Sequence, residues 1–147
     1  MEFDFSSPKE HKFYDFVRPL SKAVTNFLYD FRPIGTENIP REGGFILAAN
    51  HISLLDAITI TAASTRKMFF MAKSELFHNP LFSKVLENLG AFPVRRGTSD
   101  RRAVEFAEKV LNSGWVLGIF PQGKRTDEMT LKSVKSGVAY IAKKNRS

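Results

Sequence analysis

The chain has no cysteine. That excludes a thiol nucleophile, a disulfide framework and a thiolate metal site, and it fits a reducing compartment. Long apolar runs are missing too. The longest, around Phe45 and Trp115, fall far short of the roughly 20 residues that cross a bilayer as a helix. The acidic opening residues Glu2 and Asp4 do not resemble a signal peptide. Histidine is scarce, with three in all, and His51, Asp56 and His78 do not show the spacing of a metal-ligand set. There is no internal repeat and no low-complexity segment. Negative charge is in short supply, since 22 Lys and Arg face 15 Asp and Glu, a net charge of +7.

What is present fits one domain: 147 residues, 43% of them hydrophobic, are enough to bury a core. The basic excess is greatest late in the chain, where Lys124, Arg125, Lys132, Lys135, Lys143, Lys144 and Arg146 face only Asp127 and Glu128. Such a balance attracts a polyanion, whether nucleic acid, anionic lipid or a phosphorylated carrier. The aromatics lie in apolar stripes rather than between basic residues, so no stacking platform for nucleic acid is expected.

Strand-like and helix-like segments alternate. Gly44 to Ala49, Met68 to Ala72 and Trp115 to Phe120 read as buried strands, and Gly90 to Val94 as a short apolar segment. Leu54 to Ala63, Pro80 to Leu89, Ser99 to Asn112 and Ser133 to Lys144 read as helices. Ser99 or Asp100 is the candidate cap of the third, with Val104, Ala107, Val110 and Leu111 on its buried face. The alternation predicts an α/β fold: a mostly parallel sheet with flanking helices, preceded by an N-terminal amphipathic helix.

The first candidate site is Asn50-His51-Ile52-Ser53-Leu54-Leu55-Asp56. His51 falls in a strand-to-helix turn at the carboxyl end of a strand, where open α/β sheets keep their ligand crevice. Asp56, on the new helix, can reach back to one imidazole nitrogen, fix the tautomer and support the charge formed when the other takes a proton. That is general-base geometry. Ser53 is a conceivable nucleophile, although capping is the commoner role for serine in such a turn.

Two later segments repeat the pattern of strand and then polar turn. Gly90-Ala91-Phe92-Pro93-Val94-Arg95-Arg96-Gly97 ends in two guanidinium groups and a glycine, and Phe120-Pro121-Gln122-Gly123-Lys124-Arg125-Thr126 follows the last strand. Arginine's planar fork suits bidentate phosphate binding, and glycine lets backbone amides approach an anion. Arg95 and Arg96 are equal candidates by position.

These blocks, in this order, resemble the glycerolipid acyltransferases typified by 1-acyl-glycerol-3-phosphate acyltransferase. His51 and Asp56 match that family's Asn-His-x4-Asp block, Gly90 to Gly97 its second, and Phe120 to Thr126 its third, Phe-Pro-Glu-Gly-Thr-Arg-Ser. Gly35-Thr36-Glu37-Asn38-Ile39-Pro40 is similar to its lead-in segment. The resemblance runs from about residue 32 to residue 143. It implies transfer of a fatty acyl group from acyl-CoA or acyl carrier protein to lysophosphatidic acid without a cofactor. His51 and Asp56 are implied as catalytic, and Arg96, Gln122, Gly123 and Arg125 as substrate-binding, with amides around Gly123 as candidates for the oxyanion.

Gln122 stands where the family has glutamate, and Lys124 where it has threonine. Family members also continue into a fourth block beyond the position where this chain ends, so an acyltransferase domain over 32–147, incomplete at its C-terminus, is expected. A catalytically impaired lipid- or carrier-binding relative is the alternative.

Near the N-terminus Phe13, Phe16, Val17, Leu20, Val24, Phe27 and Leu28 recur at three- and four-residue spacing. They predict an apolar stripe on a helix from Pro8 to Asp30, within an N-terminal unit of residues 1–31. The stripe either lies in a membrane interface or docks on the core. The first option implies a peripheral protein on the cytoplasmic face of the cell membrane.

Overall fold

The structure is a computed structural model and describes residues 3–9, 13–53, 55–125 and 136–145. Its elements run α1 (Tyr14–Leu28), β1 (Phe45–Ala48), α2 (Asp56–Ala63), β2 (Met68–Lys73), α3 (Pro80–Asn88), β3 (Ala91–Val94), α4 (Arg101–Asn112), β4 (Val116–Ile119) and α5 (Gly137–Asn145). The four strands form one sheet in the order β1-β4-β2-β3, and every pairing is parallel. Each connection is a crossover, so all four carboxyl ends lie along a single edge.

Both faces of the sheet are covered, which explains strands that read as continuous apolar runs rather than alternating ones. On one face Phe69, Phe92, Leu117 and Ile119 pack against Ala103, Phe106, Ala107, Val110 and Leu111 of α4 and Ile141 of α5. On the other, Met68, Phe70 and Val116 meet Ala57 and Ile60 of α2, with Phe45, Leu47 and Phe120 around them. Gly118 lets the sheet close over this second core, because a Cβ there would run into the Phe70 ring.

The amino edge of the sheet is tied down by Arg66. Its guanidinium donates to the carbonyls of Pro40 (3.1 Å), Gly43 (2.7 Å) and Gly114, and lies 5.6 Å from the centroid of the Phe45 ring. Tyr14 of α1 donates from its hydroxyl to the Arg66 carbonyl at 3.2 Å, and Lys67 pairs with Asp15 at 2.8 Å. The start of α1 therefore sits just past the end of α2. Beyond that point α1 packs against α2.

α1 is shorter than the stripe predicted, since Pro8 and Lys9 are not helical and residues 10–12 lie outside the described set. The docking face also differs from the apolar stripe. Tyr14, Ser21 and Thr25 are buried, while Phe16, Leu20, Phe27 and Leu28 are 64%, 51%, 90% and 50% exposed. Ser21 and Thr25 are small enough to let α1 approach α2 closely, and the Thr25 hydroxyl donates back to the Ser21 carbonyl at 2.9 Å. The stripe thus faces away from the core.

Other boundaries shift by a residue or two, as helix and strand ends do. Asp100, not Ser99, caps α4, accepting the Ala103 N–H at 3.4 Å. Ala103 and Phe106 join the expected buried face, with Val104 only partly buried. Asn79 caps α3, accepting from Leu81 and Phe82, with Pro80 in the first turn. The helix expected from Ser133 is described from Gly137; residues 133–135 lie outside the described set. Ahead of α1, Phe3 and Phe5 pack edge-on against Phe106, and Lys109 donates to the carbonyls of Phe5 (3.1 Å) and Ser6 (3.0 Å).

Candidate active site

β1 and β4 are neighbours with Ala48 opposite Ile119, and the Ala49 N–H donates to the Ile119 carbonyl at 3.1 Å. The two chains therefore leave the sheet side by side. Two residues past Ala49, the His51 ring stacks on that of Phe120, centroids 4.2 Å apart and planes 19° from parallel. His51 Nδ1 lies 2.8 Å from Asp56 Oδ2, and the same oxygen accepts the N–H groups of Ile52 (2.7 Å) and Ser53 (2.9 Å). Asp56 opens α2, so its carboxylate gathers the turn's amides as a first-turn acid does. The Ser53 hydroxyl oxygen accepts the Leu55 N–H at 3.1 Å, which is a capping role.

The His51 and Asp56 side chains are each 16% exposed. Burial pushes the Asp56 carboxyl up, but the Ser53 amide, the His51 ring and the Ile52 amide outweigh it and hold the group below the ordinary carboxylate value. An ionised carboxylate only accepts hydrogen bonds, so Nδ1 carries a proton, and in the neutral ring Nε2 is the nitrogen that holds the lone pair. Nε2 has no partner among the described residues. The result is a basic nitrogen in a fixed ring plane, free to take a proton.

β3 ends at Val94, and the turn beyond it brings Asp100 back to Arg95. Asp100 Oδ2 accepts the Arg95 N–H at 2.9 Å and lies 3.5 Å from Arg95 Nε. Arg96 is exposed and has no hydrogen bond or ion pair with any described residue. After β4, Gln122 is 6% exposed, and its Oε1 has no partner among the described residues. Gly123 adopts φ +67 and its N–H donates to the Phe120 carbonyl at 2.9 Å. That amide is therefore engaged within the turn and not open to an oxyanion. Lys124 and Arg125 are exposed, and Thr126 lies outside the described residues.

Strand order arranges these groups along the carboxyl edge: His51 past β1, Gln122 to Arg125 past β4, and Arg96 past β3. At about 4.8 Å per strand step, the edge from β1 to β3 spans roughly 14 Å. The strand between β4 and β3 is β2, and Lys73 ends it in register with Val94. Lys73 pairs with Glu75 at 3.0 Å, and chiefly that contact holds the Glu75 carboxyl down at about 2. Sequence reading passed over Lys73 and gave Phe120 no role of its own. The signal for Lys73 was the same as elsewhere, an apolar strand ending in a polar turn. His78 falls in the turn before α3, and no cluster of acidic and histidine side chains suited to a metal occurs among the described residues.

The profile of the family described as Acyltransferase matches residues 30–146. The chain is 30% identical over 135 residues to the 1-acyl-sn-glycerol-3-phosphate acyltransferase of Bacillus subtilis (strain 168), covering 91% of this chain and 67% of that protein. It is 37% identical over 111 residues to the protein of the same name from Streptococcus pneumoniae, covering 74% and 40%. The crystal structure of the 1-acyl-sn-glycerophosphate acyltransferase of Thermotoga maritima superposes with a TM-score of 0.69 at 28% identity, covering 90% of this chain and 53% of that one. The chain thus spans from two fifths to two thirds of the length of these relatives. With most of its length matched to the profile and its fold shared with a solved relative, the chain belongs to the acyltransferase family.

Proposed function

We propose that this protein transfers a fatty acyl group from a thioester, acyl-CoA or acyl carrier protein, to the free hydroxyl of 1-acyl-glycerol-3-phosphate, giving phosphatidic acid. The observation that carries this reading is the His51–Asp56 pair at 2.8 Å, with Nε2 unpartnered among the described residues, at the sheet edge where the exposed Arg96 and Arg125 follow β3 and β4. His51 Nε2 takes the hydroxyl proton as that oxygen attacks the thioester carbonyl, and Asp56 stabilises the imidazolium. The tetrahedral adduct then collapses, the C–S bond breaks, and the thiolate leaves with the proton that His51 returns. Arg96 and Arg125 hold the acceptor's phosphate and so fix its hydroxyl near the base. Gln122 is the further substrate-binding candidate of this turn, its Oε1 buried and without a partner among the described residues. With the Gly123 amide engaged, the oxyanion depends on other donors of the β4 turn.

A lysolipid acceptor resides in a bilayer, and the outward apolar stripe of α1 supports peripheral attachment there, on the cytoplasmic face where the thioester donors are soluble.

Mass spectrometry of the lipid product after incubation with acyl-CoA tests this. Lysophosphatidate is expected to become phosphatidate, while monoacylglycerol, which lacks the phosphate, is left unacylated. Equal use of both acceptors would sink the phosphate clamp. Gln122, uncharged where the family has glutamate, favours one second reading, a lipid-binding relative with impaired chemistry. Binding of lysophosphatidate without turnover supports it.

A further inference from the structure

Four arginines surround the turn between β3 and α4, and the sequence alone does not rank them. The structure commits three. Arg101 donates to Glu105 at 2.7 Å, Arg102 lies over the Phe5 ring at 5.4 Å, and Arg95 is drawn to Asp100. Among the described residues Arg96 alone of the four has no partner.

The group that separates Arg95 from Arg96 is Asp100. Its side chain is 6% exposed and binds at three points: the Arg95 N–H (2.9 Å), the Arg95 guanidinium (3.5 Å) and the Ala103 N–H (3.4 Å). The first closes the turn, the second neutralises one of the two adjacent cations, and the third ties the turn to α4, whose apolar face is fixed in the core. Gly97, at φ +83, permits the chain reversal between them.

We propose that Asp100 is a positioning residue for acceptor recognition. By engaging Arg95 in both backbone and side chain, it leaves Arg96 as the turn's phosphate ligand and holds it on a rigid element. This rests on the acyltransferase reading given above. A ligand tied to helix and strand loses less freedom on binding than one in a loose loop. A second free guanidinium beside it would let the phosphate sit in more than one place.

The test measures KM for lysophosphatidate, KM for acyl-CoA and kcat in wild type, Arg95→Ala, Arg96→Ala, Asp100→Ala and Asp100→Asn, with urea midpoints for each. Arg96→Ala is expected to raise the acceptor KM roughly 10–100-fold, the scale of a charged hydrogen bond. Arg95→Ala is expected to stay within about twofold, as for a surface substitution. Asp100→Ala raises the acceptor KM and not the donor KM. Asp100→Asn, which keeps an oxygen for the Arg95 N–H but releases the Arg95 guanidinium, recovers only part of that loss. A general loss of structure shifts both KM values and is revealed by the midpoint.

An Arg95→Ala effect as large as that of Arg96→Ala overturns the proposal alone, as does a donor KM that moves with Asp100. Wild type that neither binds lysophosphatidate by calorimetry nor acylates it overturns the underlying reading together with the proposal.

Discussion

The imidazole of His51 lies flat on the ring of Phe120, centroids 4.2 Å apart. Phe120 in turn lies nearly parallel to Phe70, at 6.3 Å and 15°. The proposed base therefore ends a column of rings rooted in the core, with Asp56 holding its other flank. Replacing Phe120 with alanine leaves the Asp56 contact but frees the ring plane. The expected outcome is a kcat lower by roughly 10-fold to 100-fold, the scale of a misplaced reacting group. Thiol release checks it; a kcat equal to wild type would assign the stack to packing alone.

Gly118 tests the same column from below. A Cβ there meets the Phe70 ring, which is itself held in the core that Ala57 and Ile60 of α2 cover. Gly118→Ala is expected to lower unfolding stability by about 1–3 kcal/mol, the usual cost of overpacking a core. Urea denaturation reads this directly, and an unchanged midpoint would mean that the ring moves aside freely.

Asp56 carries a pH signature. Its carboxyl is held below the ordinary 3.8 in the folded chain. A depressed pKa contributes stability that is present above the unfolded value and lost as pH falls through the folded one. Asp56→Asn lacks that contribution at every pH. The stability gap between wild type and Asp56→Asn is therefore expected to be widest near neutrality and to close as pH falls below about 3.8. A gap constant from pH 7 to pH 3, measured by urea midpoints, contradicts the assignment.

The outer face of α1 offers a substitution that spares the fold. Phe16 and Phe27 are 64% and 90% exposed, so Phe16→Asp with Phe27→Asp is expected to leave the unfolding free energy, read by urea denaturation, within about 0.5 kcal/mol per site. The same pair is expected to release the protein from anionic vesicles in flotation. Continued flotation of the double variant removes α1 from the membrane contact.

Much of this architecture could be read in the chain. Phe45 to Ala48, Met68 to Ala72 and Val116 to Ile119 are apolar throughout because a parallel sheet is covered on both faces, and turn residues mark their ends. The polar turns after β1, β3 and β4 were legible as strand ends, and parallel pairing puts them on one edge. Other features were beyond local pattern. An apolar stripe signals an interface without naming the partner, so the packing of α1 through Ser21 and Thr25 was hidden. The docking of Phe3 and Phe5 on Phe106, about a hundred residues away in sequence, is a tertiary contact that no periodicity encodes. Arg95 and Arg96 are chemically identical neighbours, and only the fold brings Asp100 to one of them.

The most direct test of the central claim is acyl transfer from acyl-CoA to lysophosphatidate by wild type and by His51→Ala, followed as thiol release. The account predicts turnover that depends on the acceptor and falls by roughly 10²–10⁴-fold on removing the imidazole, as for loss of a general base. Turnover in His51→Ala equal to that of wild type contradicts it.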